Sequence, residues 1–207
     1  MADIFELFKR IGKQNSEKKP IEYIVACLGN PGKEYALTRH NAGWLFAEYY
    51  SREHGFAVDR LRFEALTGEY TVGEHRALFL CPVTYMNLSG RSVRAALDFY
   101  KLPPEKLVVV CDDVQFDVGK LRIRRKGSDG GQRGLRNIIE QLNSDDFPRI
   151  RIGVGQKPDP EYDIKDWVLS KFTEDEQKTL KEVFPKVADA LSLILDGQFD
   201  KAMNLYN

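Results

Sequence analysis

The chain has 207 residues, a length that fits one ordinary globular domain, and its 31 basic and 31 acidic residues cancel. A zero net charge argues against a general polyanion binder but says nothing of a local basic patch. The hydrophobic share of 43% excludes a disordered chain. The sequence has no apolar run of the roughly 20 residues that span a bilayer and no secretory leader, so we expect a cytoplasmic protein.

Hydrophobic periodicity predicts strands that alternate with helices. Residues 1–20 are polar and Lys-rich, and we expect an N-terminal extension there, followed by a single domain over residues 21–207. The predicted strands are 21–28, short antiparallel strands within 61–82, then 106–111, 119–125 and 149–154. The predicted helices are 42–54, 89–100, 131–142 and 173–205, the last with a break near Gly197. This order predicts an α/β fold with a mixed sheet.

Polar residues that could act in catalysis or binding fall in loops that follow strands. In an open α/β sheet, ligand-binding groups collect in such loops. The loop at residues 28–41 contains GNPGK but lacks the spacing and the Ser/Thr of a phosphate-binding P-loop, which disfavours a nucleotide site. His40 ends this loop, and an imidazole can accept a proton from water near neutral pH. Asn87, in the loop at residues 82–90, can offer both a carbonyl and an amide donor to an ester, or can cap a helix.

Asp112 follows the aliphatic strand directly. A carboxylate there can accept a hydrogen bond from an imidazole and fix its tautomer. The alternatives are a loop cap and a divalent metal site. The sequence supplies no convergent third ligand, and its three scattered cysteines have no metal-ligand spacing, so we expect no metal.

A basic segment, residues 120–136, holds seven basic residues and one acidic residue. Alternation along the predicted strand places Arg122 and Arg124 on the same face. Gly130 and Gly131 precede a helix, whose free N–H groups favour an anion. The segment is typical of a surface that contacts a phosphate backbone, with a solvated charged face as the alternative.

These segments, in this order and spacing, resemble the bacterial-type peptidyl-tRNA hydrolase family. The stretches that carry the resemblance are LGNPGKEYALTRHNAGW (28–44), PVTYMNLSGRSV (82–93), DDVQFDVGKLRIRRKGSDGGQRGLRNII (112–139) and FPRIRIGVG (147–155). The likeness runs from about residue 21 to the C-terminus. It implies a monomeric enzyme with a twisted mixed sheet flanked by helices. Such an enzyme cuts the ester of peptidyl-tRNA without a metal, a cofactor, a membrane or an obligate protein partner.

The resemblance also implies a role for each matched residue. His40 would be the catalytic base and Asp112 its hydrogen-bonding partner. Asn30 and Asn87 would hold the peptide end of the substrate and the scissile carbonyl. Tyr35 and Met86 would line the cleft. The tRNA would be contacted by Arg122, Arg124 and Arg151.

The chain departs from the family pattern at two places. Cys111 stands where the family usually has a histidine, and Gln132-Arg133 stands where it usually has His-Asn. Arg133 cannot accept a hydrogen bond, so it would bind a phosphate or the carbonyl groups of the peptide instead. This departure leaves open a non-catalytic RNA-binding relative of the same fold, such as a splicing-factor-like protein. The retained histidine, aspartate and asparagines favour an active enzyme.

Overall fold

The computed structural model describes residues 19–207, so the extension expected over residues 1–20 lies almost wholly outside the described residues. One mixed sheet has the strand order β2-β3-β4-β1-β5-β7-β6. Its strands are β1 (Tyr23–Cys27), β2 (Arg60–Arg62), β3 (Ala65–Val72), β4 (His75–Pro82), β5 (Leu107–Asp113), β6 (Leu121–Arg124) and β7 (Arg149–Gly153). The helices are α1 (Ala42–His54), α2 (Ser89–Tyr100), α3 (Arg133–Leu142), α4 (Ile164–Leu169), α5 (Glu174–Leu195) and α6 (Phe199–Tyr206).

The centre of the sheet is parallel, and its flanks are antiparallel. Strands β4, β1, β5 and β7 run in one direction, whereas β3 pairs antiparallel with β4 and β6 pairs antiparallel with β7. Strand β5 is buried along its whole length, as its aliphatic composition requires. The carboxyl ends of the parallel strands therefore meet at one edge of the sheet, where the predicted site loops begin.

Helices cover both faces of the sheet. Phe46 of α1, Val187 of α5 and Ala202 of α6 belong to the apolar core on one face. Val93 of α2 and Ile138 of α3 belong to the core on the other. The predicted α/β fold with a mixed sheet flanked by helices is confirmed. Within residues 19–207, no helix is both long enough and apolar enough to cross a bilayer.

Two helices differ from the sequence expectation. Helix α3 begins at Arg133 rather than at residue 131, because Gln132 is extended and acts as its N-cap. Helix α4 was not predicted at all, since its six residues are too few to show a helical period. The expected break near Gly197 is confirmed, because Gly197 takes a left-handed φ of 74° between α5 and α6.

Candidate active site

A cleft of about 380 Å³ opens at the carboxyl end of the central strands. The site residues expected from the sequence line this cleft, except Arg122 and Arg124, which lie on the edge strand β6. The expected residues that line it are Asn30, Tyr35, His40, Met86, Asn87, Asp112, Arg133 and Arg151. The cleft therefore brings together side chains from loops and strand ends that are far apart in the sequence.

His40 and Asp112 are in direct contact. The distance from His40 Nδ1 to Asp112 Oδ2 is 3.0 Å, and the two residues are only 8% and 2% exposed. Because a carboxylate can only accept a hydrogen bond, this contact requires the proton on Nδ1. The neutral ring then keeps its lone pair on Nε2.

The close approach of α1 to the sheet explains why His40 reaches Asp112. His40 lies in a short 3₁₀ turn, Arg39–Asn41, that leads directly into α1. A Cβ atom on Gly43 would lie only 2.5 Å from the backbone N of Leu28 and the backbone O of Val110. Glycine at this position lets the start of α1 pack against the ends of β1 and β5, and this packing places the imidazole beside the carboxylate.

Asn30 is held by a neighbour that sequence reasoning missed. Asn41 Oδ1 accepts the Asn30 backbone N–H at 2.9 Å, and Asn41 Nδ2 donates to the Asn30 carbonyl at the same distance. Asn30 Oδ1 accepts the backbone N–H of Met86 at 2.8 Å. This orientation leaves the Asn30 amide N–H groups as the donors available to a substrate. The only sequence feature that could have identified Asn41 as a site residue is its position directly after His40.

Asn87 is an exposed residue of the cleft wall rather than a helix cap. It lies in a 3₁₀ turn, Met86–Leu88, just before α2. The N-cap of α2 is Leu88, which makes no side-chain cap. Ser89, the first residue of α2, donates its hydroxyl to the Met86 carbonyl. The Asn87 amide is therefore not occupied by a capping hydrogen bond.

Gln132, identified from the sequence only as a departure, joins the start of α3 to the His40–Asp112 pair. Its Nε2 lies 3.0 Å from Asp112 Oδ1 and 3.2 Å from the sulfur of Met86. Its Oε1 accepts the backbone N–H of Leu135 at 2.7 Å. Both oxygens of Asp112 therefore have partners, one from α3 and one from the His40 turn.

The neighbouring carboxylate, Asp113, is paired with Arg151. Asp113 Oδ2 lies 2.9 Å from Arg151 Nε, an ion pair without hydrogen-bond alignment. Burial raises the pKa of Asp113, although the Gln115 N–H and the Arg151 charge oppose that shift. Arg151, which was expected to contact tRNA, therefore lines the cleft with its charge already paired with Asp113.

Among residues 19–207, no group of three His, Cys, Asp or Glu side chains is placed to hold a metal ion.

Three of the N–H groups around the start of α3, where the sequence suggested an anion site, are bonded within the chain. The Gly131 N–H donates to Asp129 Oδ1 at 2.8 Å, and the Gln132 N–H donates to the Asp129 carbonyl at 3.1 Å. The Leu135 N–H donates to Gln132 Oε1, so Asp129 and the Gln132 side chain together satisfy these three donors.

The basic edge of the sheet lies beside the cleft. In β6, Leu121 and Ile123 are buried while Arg122 and Arg124 are half-buried on the opposite face, as predicted. Arg122 lies directly across from Arg151 in the antiparallel pair. Burial and the positive charges of Arg122 and Arg151 lower the pKa of Arg124. This concentration of like charge suits an anionic partner.

Comparisons with known proteins place the chain in one family. A family model described as Peptidyl-tRNA hydrolase matches residues 24–207. The peptidyl-tRNA hydrolase of Caldicellulosiruptor saccharolyticus is 44% identical over 187 residues, covering 90% of this chain and 97% of that one. The protein of the same name from Caldanaerobacter subterraneus is 45% identical over 185 residues, covering 89% and 99%. The crystal structure of peptidyl-tRNA hydrolase from Acinetobacter baumannii matches with a TM-score of 0.82 and 33% identity, covering 90% and 96%.

The fold and the cleft define an α/β protein with a His–Asp pair at the carboxyl end of a mixed sheet. The chain belongs to the peptidyl-tRNA hydrolase family, and the resemblance seen in its motifs is confirmed.

Proposed function

We propose that this protein cuts the ester bond of peptidyl-tRNA, with His40 as the general base. Family membership supports the reaction and disfavours a purely RNA-binding role. The observation that carries the assignment of the base is the 3.0 Å contact between His40 Nδ1 and Asp112 Oδ2. Because this contact keeps the proton on Nδ1, Nε2 is free to take a proton from a water beside the ester carbonyl.

The proposed reaction has two steps. The water oxygen bonds to the carbonyl carbon while its proton passes to His40 Nε2, and the resulting oxyanion accepts hydrogen bonds from the amide groups of Asn30 and Asn87. The bond from that carbon to the ribose oxygen then breaks, and Nε2 returns its proton to the ribose oxygen. The products are the peptide acid and free tRNA. Tyr35 and Met86 shape the wall of the cleft around the peptide end.

The tRNA is proposed to dock along the basic edge of the sheet. Arg122 and Arg124 project from one face of β6, and Arg133 is exposed at the cleft. Arg151, across from Arg122 on the neighbouring strand β7, adds its paired charge. Guanidinium groups suit phosphate oxygens, and this edge adjoins the cleft where the 3′ end must enter.

The enzyme is proposed to act as a monomer in the cytoplasm, without a metal, a cofactor or an obligate protein partner. Each group that the proposed mechanism uses comes from one chain. The His–Asp pair supplies the base and the asparagines supply the oxyanion donors, so neither a second subunit nor a Lewis acid has a step to perform.

The protonation of the His40 ring tests the proposed base directly. In ¹⁵N NMR spectra recorded at a pH where the ring is neutral, we expect Nδ1 to carry the proton and Nε2 to be unprotonated, because Asp112 can only accept. The Asp112→Asn variant is the comparison, since its amide N–H can donate to Nδ1 and favour the opposite tautomer. A proton on Nε2 in the native enzyme would contradict the proposal.

Salt dependence tests the proposed tRNA surface. Arg122→Ala and Arg124→Ala should each weaken tRNA binding and reduce the slope of log affinity against log salt by about 1, as the loss of one phosphate contact predicts. The matched control is Arg52→Ala, which removes an exposed arginine near the C-terminal end of α1. Equal slopes for the native enzyme and both β6 variants would rule this surface out.

A further inference from the structure

We infer that Gln132 is a positioning residue, which fixes the Asp112 carboxylate and thereby the proton-accepting orientation of His40. The inference rests on the proposed role of His40 as the base. It concerns a position where this chain departs from the family pattern. The Gln132 side chain is a buried amide with contacts to α3, Asp112 and Met86.

The Gln132 amide has only one orientation compatible with its neighbours. The backbone N–H of Leu135 is a donor, so the amide atom 2.7 Å from it must be the oxygen Oε1. The atom that faces Asp112 Oδ1 at 3.0 Å must then be Nε2, which donates. A flipped amide would place two donors together at Leu135 and two oxygens together at Asp112. The helix cap therefore dictates that the carboxylate meets a donor.

The two hydrogen bonds to Asp112 use different oxygens. Gln132 binds Oδ1, and His40 binds Oδ2. A carboxylate held at both ends cannot rotate about its Cβ–Cγ bond without losing one of them. Because Gln132 and Asp112 are 5% and 2% exposed, water cannot readily replace the lost partner. Gln132 thus keeps Oδ2 aimed at His40.

Packing around the amide leaves it little freedom. Gln132 Nε2 also contacts the sulfur of Met86 at 3.2 Å. A Cβ atom on Gly134 would lie 2.7 Å from that sulfur and 3.0 Å from Gln132 Oε1. Glycine at this position is therefore what lets the first turn of α3 bring the amide against the catalytic carboxylate.

The Gln132→Glu variant separates positioning from capping. The new carboxylate has the same shape and can still accept the Leu135 N–H, so the helix cap survives. It has no N–H for Asp112, however, and two ionised carboxylates at this separation repel each other, which favours a proton shared between them. A shared proton restores the missing donor at acid pH and is lost as the pH rises. We expect kcat to fall by roughly 10–100-fold on the alkaline side, where the native enzyme stays active, with KM unchanged.

Two further variants complete the test. Gln141→Glu adds the same charge to an exposed position of α3 and should show the native pH profile. Gln132→Met keeps the length of the side chain but has no donor, so it should have a lower kcat at every pH and a mixture of His40 tautomers by ¹⁵N NMR.

The outcomes distinguish this inference from the proposal on which it rests. A native pH profile for Gln132→Glu, or a native kcat and His40 tautomer for Gln132→Met, would overturn the positioning role while leaving His40 as the base. Undiminished turnover by His40→Ala would instead overturn the assignment of the base.

Discussion

Replacement of His40 by Ala is expected to lower kcat for acetyl-aminoacyl-tRNA by roughly 10²–10⁴-fold, the contribution of a positioned general base. Affinity for tRNA should be retained, because the proposed docking residues lie on β6 and at the start of α3 rather than at His40. Single-turnover release of tRNA measures the first quantity, and equilibrium binding of a non-hydrolysable analogue measures the second.

The same substitution at His54 provides the control. His54 ends α1, is exposed, and contacts Tyr70 rather than the cleft. His54→Ala should therefore keep the native kcat. Turnover of His40→Ala close to the native value would contradict the proposed base. A loss of tRNA affinity as large as the loss of kcat would assign His40 to binding instead of chemistry.

Much of the fold could be predicted because the local sequence pattern of most elements agrees with their burial in the folded protein. The aliphatic composition of β5 is that of a strand covered on both faces, and β5 is indeed buried throughout. Helices α1 and α2 have their predicted bounds, and Gly55 ends α1 in a left-handed conformation. Helix α4 could not be predicted because it is short and none of its residues is fully buried, so no apolar period marks it.

The candidate site was predictable to the extent that strand topology determines it. His40 and Asp112 are 72 positions apart in the sequence, yet His40 lies in the loop that follows β1 and Asp112 lies near the end of β5, and these two parallel strands end at the same edge of the sheet. The pairing of Arg151 with Asp113 and of Gln132 with Asp112 could not be predicted, because each depends on side-chain conformations that no local pattern specifies.

Cys111 illustrates a departure from the family pattern that the structure explains by packing. Its side chain is fully buried in the core on the α2 and α3 face of the sheet. Burial raises the pKa of its thiol, so the reactive thiolate form is disfavoured. Cys111 therefore fills space in this core and is not among the residues that line the cleft.

Arg39, which sequence reasoning did not single out, ties the His40 turn to the C-terminal part of the chain. Its guanidinium donates to the Val154 carbonyl at 2.7 Å and forms a bidentate pair with Glu176 at 2.9 and 3.0 Å. It also stacks on Trp167 of α4, with 3.8 Å from Cζ to the ring centroid. Arg39 is only 4% exposed, so these contacts replace nearly all of the water that would hydrate its guanidinium group.

Arg39→Met should destabilise the protein by about 3 kcal/mol, which corresponds to a decrease in Tm of roughly 6–12 °C for a domain of this size. The substitution keeps most of the apolar bulk but leaves the Val154 carbonyl and the Glu176 carboxylate without their charged partner. Thermal and denaturant unfolding would measure the loss. Arg52→Met, at an exposed position of α1, is the matched control and should change Tm little.

The pH dependence of this loss identifies its cause. Burial works to raise the pKa of Glu176, but Arg39 and the Thr173 N–H together outweigh it, so the pKa lies below its usual range. A lowered carboxyl pKa stabilises the folded state above the unfolded value of about 4.3, and this stabilisation disappears as the pH falls through the folded value. The stability gap between the native protein and Arg39→Met should therefore narrow in acid. A gap that stays constant from neutral to acid pH would show that Arg39 acts through its packing on Trp167 rather than through its charge.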